Sequence, residues 1–283
     1  MNIYHQSVFN TWPLEDKSIQ AIITSPPYWG LRKYDIPDIK IGDWIGQYGL
    51  EENYLDYIEH TRLWVREAWR ILKDDGIFFL NIGDGFGGIY NSANAKCKML
   101  IPHRIAIALI EDGWILRNDL IWAKGNPMPE SVKDRFSKGY EYIFMFVKQP
   151  KYYFDLDTVR EKPISKNNLI NRNAGSSNGG YIGDRFSKGI RLSSHLKGKN
   201  PSDIWTINTQ PSGELHFAMW PEKLVDRMIS CSTKPGDSIL DPFAGSGTTL
   251  LVAEKLNRVG YGIDLGYEDI QARRLNNIQK LLL

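Results

Sequence analysis

The stretch "ILDPFAGSGTTLLVAEKL", Ile239 to Leu256, constrains this chain more than any other. Ile239 and Leu240 end a buried strand, Gly245 and Gly247 permit a tight turn and close approach by a ligand, and Ser246 or Thr248 begins a helix whose first N–H groups face that ligand. The turn is not the phosphate cradle that ends in Gly-Lys-Ser or Gly-Lys-Thr, because Thr248-Thr249 stands where the lysine is needed. Nor does it have the full Gly-x-Gly-x-x-Gly spacing of a dinucleotide site. Seventeen residues past Gly247, the strand "YGID" delivers Asp264, an acid suited to accept hydrogen bonds from both hydroxyls of a ribose. A packed turn of small residues and an acid capping the surface would explain each feature separately. In combination they point to a nucleoside-bearing ligand.

A second stretch, "AIITSPPYWG" (Ala21 to Gly30), runs as a buried strand of the parallel-sheet kind into two consecutive prolines. Pro26-Pro27 cannot continue it as helix or ladder, so the strand ends in a rigid, extended edge. Beyond it, Tyr54, Ile58, Thr61, Val65, Ala68 and Leu72 recur at helical spacing towards a stop at Gly76, and "IFFLNIGD" (77–84) reads as an apolar strand. "IPHRIAIALIEDG" is a helix with proline at its start, "WILRNDLIWAK" and "YEYIFMFVK" are two strands, "AMWPEKLVDRMISC" is a helix and "RVGYGID" a short strand. This alternation is that of a layered α/β sheet.

With 283 residues and 42% hydrophobic content, the chain can bury a large core. Two cysteines, Cys97 and Cys231, cannot build a metal cluster and do not resemble a secreted disulfide scaffold. The N-terminus lacks a signal pattern and no apolar run of about 18 residues occurs, so a cytoplasmic location is expected and no metal or membrane is. Lys and Arg (35) nearly balance Asp and Glu (33), but residues 160–200 carry nine Lys or Arg against Glu161 and Asp184. That region is rich in Asn, Ser, Gly and Lys and has little apolar periodicity; it reads either as a surface insert or as a recognition lobe with side chains suited to phosphate contact and stacking. The string "DRFSKG" occurs twice, from Asp134 and from Asp184, too short to be a structural repeat.

Taken together, "TSPPYWG" and "DPFAGSGTT" resemble the amino-group DNA methyltransferases that use S-adenosylmethionine. The catalytic motif here precedes the cofactor motif, with the long insert between them, which resembles the permuted beta arrangement. The resemblance implies a Rossmann-like, seven-stranded, mostly parallel α/β sheet with helices on both faces and one antiparallel strand. It divides the chain into a catalytic half (1–160), an inserted DNA-recognition region (161–203) and a cofactor-binding half (204–283). Residue by residue, Ser25, Pro26, Pro27 and Tyr28 match the catalytic tetrapeptide. Asp241, Phe243, Gly245 and Gly247 match the cofactor motif, with Ser246 and Thr248 beside them, and Asp264 matches the acid at the next strand end. His216 to Ile229 is similar to a further helix on the cofactor side.

On that resemblance, the Ser25 oxygen and the Pro26 carbonyl accept hydrogen bonds from an exocyclic NH₂ while the Tyr28 ring stacks on the base. A serine in first position leans towards cytosine N4, whereas aspartate is usual for adenine N6; both bases stay open. Cys97 and Cys231 lack a Pro-Cys setting, which disfavours methylation on carbon. Double-stranded DNA as substrate requires the base to be flipped out, and the loop "YWGLRKYD" offers Trp29 and Tyr34 to stack or wedge and Arg32 and Lys33 to hold phosphates. Arg172, Arg185 and Lys188 are the insert's candidates for DNA contact. A restriction endonuclease acting on the same site is an expected partner, and the chain is a monomer or a homodimer. An RNA or protein amide methyltransferase, another adenosyl or NAD enzyme, and a non-catalytic DNA-binding module remain alternatives.

Overall fold

A computed structural model describes residues 2–87, 96–162, 197–209, 220–268 and 271. The elements in chain order are β1 (Asn2–His5), β2 (Ile19–Thr24), β3 (Ile39–Ile41), β4 (Trp44–Gly46), α1 (Tyr54–Ile71), β5 (Leu72–Ile82), α2 (Ile101–Glu111), β6 (Ile115–Ala123), β7 (Tyr140–Val147), β8 (Ile204–Thr206), α3 (Glu222–Ser232), β9 (Ser238–Asp241), α4 (Thr248–Lys255) and β10 (Val259–Asp264). Strands β3 and β4 form a separate small hairpin. The remaining strands make one sheet in the order β1-β10-β9-β2-β5-β7-β6-β8, and β7 alone runs antiparallel to its neighbours.

The sheet therefore has the expected mostly parallel character, with eight strands where the resemblance implies seven. Six strands are legible in the sequence; the short edge strands β1 and β8, four and three residues long, complete the count. Both edges also cross the sequence division into halves, since β1 pairs with β10 and β8 with β6.

Strand side chains alternate between two cores. Ile22, Phe78, Leu80 and Leu240 face Trp64, Val65 and Ala68 of α1 and Ile105 and Leu109 of α2. Ala21, Ile23, Ile77, Phe79 and Ile239 face Leu224, Val225 and Met228 of α3 and Val252 and Ala253 of α4. Period-two alternation in strands buried on both sides thus produces the three layers. Helix α1 opens on Asn53, whose side chain accepts a hydrogen bond from Leu55 N–H at 2.9 Å. It ends at Ile71, earlier than the expected stop at Gly76, because Leu72 already turns extended (ψ 135°) and pairs with Ile19. The ladder then shifts register, so Gly76 lies inside β5.

Most of the insert, residues 163–196 with Arg172, Arg185, Lys188 and the second "DRFSKG", lies outside the described residues. Its flanks meet: Glu161 and Lys199 exchange backbone hydrogen bonds at 3.0 and 2.9 Å, and Arg227 of α3 donates to Glu161 at 2.8 Å. No helix among the described residues is long and apolar enough to cross a membrane.

Candidate active site

The carboxyl ends of β2, β5, β6, β9 and β10 share one edge of the sheet, and the chemistry-bearing residues collect there. At the end of β9, Asp241 is only 2% exposed. Its Oδ1 accepts hydrogen bonds from Thr24 Oγ1 at 2.6 Å and Phe243 N–H at 3.1 Å, and its Oδ2 accepts from Thr249 Oγ1 at 2.6 Å. Burial pushes the carboxyl up to about 6, against the opposing pull of those donors. Asp241 thereby ties the end of β2 to the glycine turn and the first turn of α4. The turn needs left-handed backbone at Gly245 (φ 51°) and Gly247 (φ 80°), and a side chain there would be strained. Gly245 N–H donates to Asp264 Oδ2 at 2.5 Å and Gly266 N–H to Asp264 Oδ1 at 2.9 Å, so the acid ending β10 is oriented by backbone at the turn. Burial also raises the Asp264 carboxyl.

The proline edge is clamped from α1 and the loop before it. Tyr57 donates its hydroxyl hydrogen to the Pro27 carbonyl at 2.8 Å, and Gly30 N–H donates to the Gly49 carbonyl at 2.7 Å. Glu51, 3% exposed, accepts from Gly49 N–H at 2.8 Å with one oxygen and lies 2.9 Å from His60 Nδ1 with the other. The Tyr28 ring lies against Gly83, where a Cβ would come within 2.7 Å of Tyr28 Cε2. The Tyr28 hydroxyl is 2.7 Å from Glu141 Oε2, 3.0 Å from Asn81 Oδ1 and 3.1 Å from Ser25 Oγ. Desolvation, reinforced by the Glu141 charge, raises the phenol well above its usual range and keeps it protonated. Lys124 pairs with the other oxygen of Glu141.

The two edges open on one cavity of ≈ 460 Å³. Ser25 and Pro27 line it from the proline edge; Asp241, Phe243, Gly245, Ser246, Thr248 and Asp264 line it from the glycine turn. The chain after β1, including Val8 and Phe9, and Trp220 ahead of α3 add to the wall; no sequence motif signals Val8 and Phe9, whereas Trp220 falls within the stretch from His216 to Ile229 expected on the cofactor side. Residues 210–219, including His216, lie outside the described residues.

The loop after the prolines folds back against the site. Trp29 is half-buried: its indole N–H donates to the Glu51 carbonyl at 2.9 Å and its ring packs edge-on against Tyr54. Arg32, Lys33 and Tyr34 wall the same cavity as the glycine turn, with Arg32 and Lys33 exposed. Gln47 ties down the far end of this loop, accepting from Tyr34 N–H at 3.0 Å and donating to the carbonyls of Tyr34 and Ile36 at 3.0 and 2.7 Å. Cys231 is buried in α3, where burial pushes its thiol up to about 12, and it does not line the cavity. Asn81, Lys124 and Glu141 carry little local signal, each being a polar residue that interrupts or closes an apolar strand.

The family model described as DNA methylase matches residues 19–273. The type II methyltransferase M.Cfr9I of Citrobacter freundii is 38% identical over 93% of this chain and 83% of its own length. Among solved structures, the PvuII DNA methyltransferase, described as cytosine-N4-specific, superposes with a TM-score of 0.67 at 20% identity, over 95% of this chain and 83% of its own. The M1.HpyAVI–SAM complex gives a TM-score of 0.54 at 21% identity, over 96% and 98%. At these identities the two structural likenesses speak to the fold.

Proposed function

The chain belongs to the DNA methylase family, and we propose that it transfers a methyl group from S-adenosylmethionine to the exocyclic N4 of cytosine within a short sequence of double-stranded DNA. The observation that carries this reading is the 2.6 Å hydrogen bond from Thr24 to Asp241. It holds the end of the Ser25-Pro26-Pro27-Tyr28 edge against the glycine turn, so that a bound nucleoside and a docked base share one cavity. The cavity fits the cofactor: its volume falls within the range of roughly 300–1,000 Å³ usual for small-molecule sites, and it combines an apolar wall with few acids.

Phe243 and Pro27 supply apolar surface for the adenosyl group, and the glycine turn lets it approach the backbone. Asp264 accepts the ribose hydroxyls with the carboxylate lone pairs left beside its two backbone donors. Ser246 and Thr248 add hydroxyls at the start of α4, and Asp241 acts by holding the turn in place. When bound, S-adenosylmethionine supplies the sulfonium methyl that the amino nitrogen takes. Ser25 Oγ and the Pro26 carbonyl accept the two amino hydrogens, which aims the nitrogen, and the Tyr28 ring flanks the base. The amino group is paired in duplex DNA, so the nucleotide must leave the stack to reach this edge. A serine in first position of the tetrapeptide, which in the family it resembles leans towards cytosine, supports cytosine over adenine. The type II designation of the M.Cfr9I relative supports reading the chain as the modification partner of a restriction endonuclease, with residues 161–203 as its DNA-recognition region.

The test is methylation of unmodified genomic DNA by the purified protein with S-adenosylmethionine, followed by mass spectrometry of the nucleosides. N4-methylcytosine is expected. N6-methyladenine would overturn the choice of base and leave the cofactor assignment standing; transfer only to RNA or protein would overturn the substrate.

A further inference from the structure

The group of side chains around the Tyr28 hydroxyl has a direction. Asn81 Nδ2 donates to the Tyr142 carbonyl at 3.0 Å, which turns Asn81 Oδ1 towards Tyr28. Glu141 Oε2 lies at 2.7 Å, and its partner oxygen is held by Lys124. Both groups on that side of the phenol are acceptors, and the shorter bond is to the carboxylate of an ion pair, so the single phenolic hydrogen is committed there. The Tyr28 oxygen keeps a lone pair for its third neighbour, Ser25 Oγ at 3.1 Å. Serine then spends its hydrogen on Tyr28 and presents only lone pairs to the cavity.

We infer that Glu141, held by Lys124, is a positioning residue that acts through the Tyr28 hydroxyl to make Ser25 a hydrogen-bond acceptor for the target amino group. The inference rests on the function proposed above and adds a role for the hydroxyl of Tyr28 beside that of its ring. An amino group brings only hydrogens to this edge in the plane of the base. A serine free to rotate would offer its own hydrogen part of the time and oppose that approach. The chain Lys124–Glu141–Tyr28–Ser25 removes the choice. Its members come from the ends of β6, β7 and β2, so no local sequence pattern announces it.

Tyr28→Phe, Glu141→Gln and the double variant test this, with kcat and KM for DNA methylation, cofactor affinity by calorimetry and thermal melting measured for each. Tyr28→Phe keeps the ring against Gly83 and should lower kcat about 10- to 100-fold, the size of one lost charge-assisted hydrogen bond, with KM for DNA and cofactor Kd within about twofold of wild type. Glu141→Gln should do the same, because an amide can donate as well as accept and lets the chain reverse. The double variant should be no slower than the slower single one, since both break one chain. Glu141→Asp should recover part of the rate. A Tyr28→Phe protein with wild-type kcat, or single effects that multiply in the double variant, would overturn the inference. Should Glu141→Gln fail to fold, Tyr28→Phe decides alone. Wild-type protein that methylates no DNA would sink the functional reading itself, whereas an active wild type with an unimpaired Tyr28→Phe variant sinks only this inference.

Discussion

Replacing Thr24 by Val tests the junction between the two motifs. The substitution keeps the shape of a fully buried side chain and deletes the hydroxyl that donates to Asp241 Oδ1 at 2.6 Å. A hydrogen bond to a charged group contributes about 1.5–3 kcal/mol, and leaving the acceptor buried without its donor costs a comparable amount. At about 2–4 °C per kcal/mol for a chain approaching this size, a fall in Tm of about 3–12 °C follows. The loss should depend on pH. The Asp241 carboxyl is raised from 3.8 to about 6 in the folded protein, so folding takes up a proton between those values. Its contribution is fully favourable below pH 3.8 and is lost as pH rises through 6, a burden of about 3 kcal/mol at neutral pH. Thr24 is the first of the donors that hold this pKa down, so without it the carboxyl rises further and the burden grows. The stability gap between Thr24→Val and wild type should therefore be small at pH 5 and open as pH rises through 6 towards 8. Denaturant unfolding at both pH values reads the gap directly. A gap equal at the two would refute the claim that this hydrogen bond stabilises the ionised form of Asp241.

Other perturbations separate the parts of the cavity. Asp264→Ala should weaken S-adenosylmethionine by about 100-fold or more by calorimetry, as expected for two lost hydrogen bonds to a charged group; unchanged affinity would reject its ribose role. Gly83→Ala places a methyl 2.7 Å from the Tyr28 ring and should lower kcat while cofactor affinity holds, and an unaltered rate would show that the ring can shift without consequence. Arg32→Ala with Lys33→Ala should raise the cofactor Kd and leave the salt dependence of DNA binding unchanged; a slope reduced by about 2 would return both residues to the phosphates.

How much of this site is legible in the chain depends on distance along it. Strand β9, its glycine turn, helix α4 and strand β10 are readable because each depends on neighbours within a few residues: apolar runs, left-handed glycines at 245 and 247, and an acid closing the next strand. The rigid end of β2 is readable for the same reason, since two prolines forbid any continuation. Edge strands β1 and β8 escape notice because so short a run of residues carries no period. The path of the loop carrying Trp29 and Arg32 to Tyr34 is hidden for a different cause. An aromatic and basic loop has one composition whatever path it takes, and Glu51 and Gln47, from a separate turn, hold Trp29 and the Tyr34 backbone.

By itself, then, the sequence determined the class of fold, the two motifs and the kind of ligand they suit, all properties of backbone freedom and side-chain type acting locally. Tertiary structure decided that Thr24 donates to Asp241 across 217 positions and that Glu141 meets Tyr28 across 113. Hydrogen-bond direction and burial depend on which atoms lie within about 3 Å, and only the folded sheet brings those atoms together.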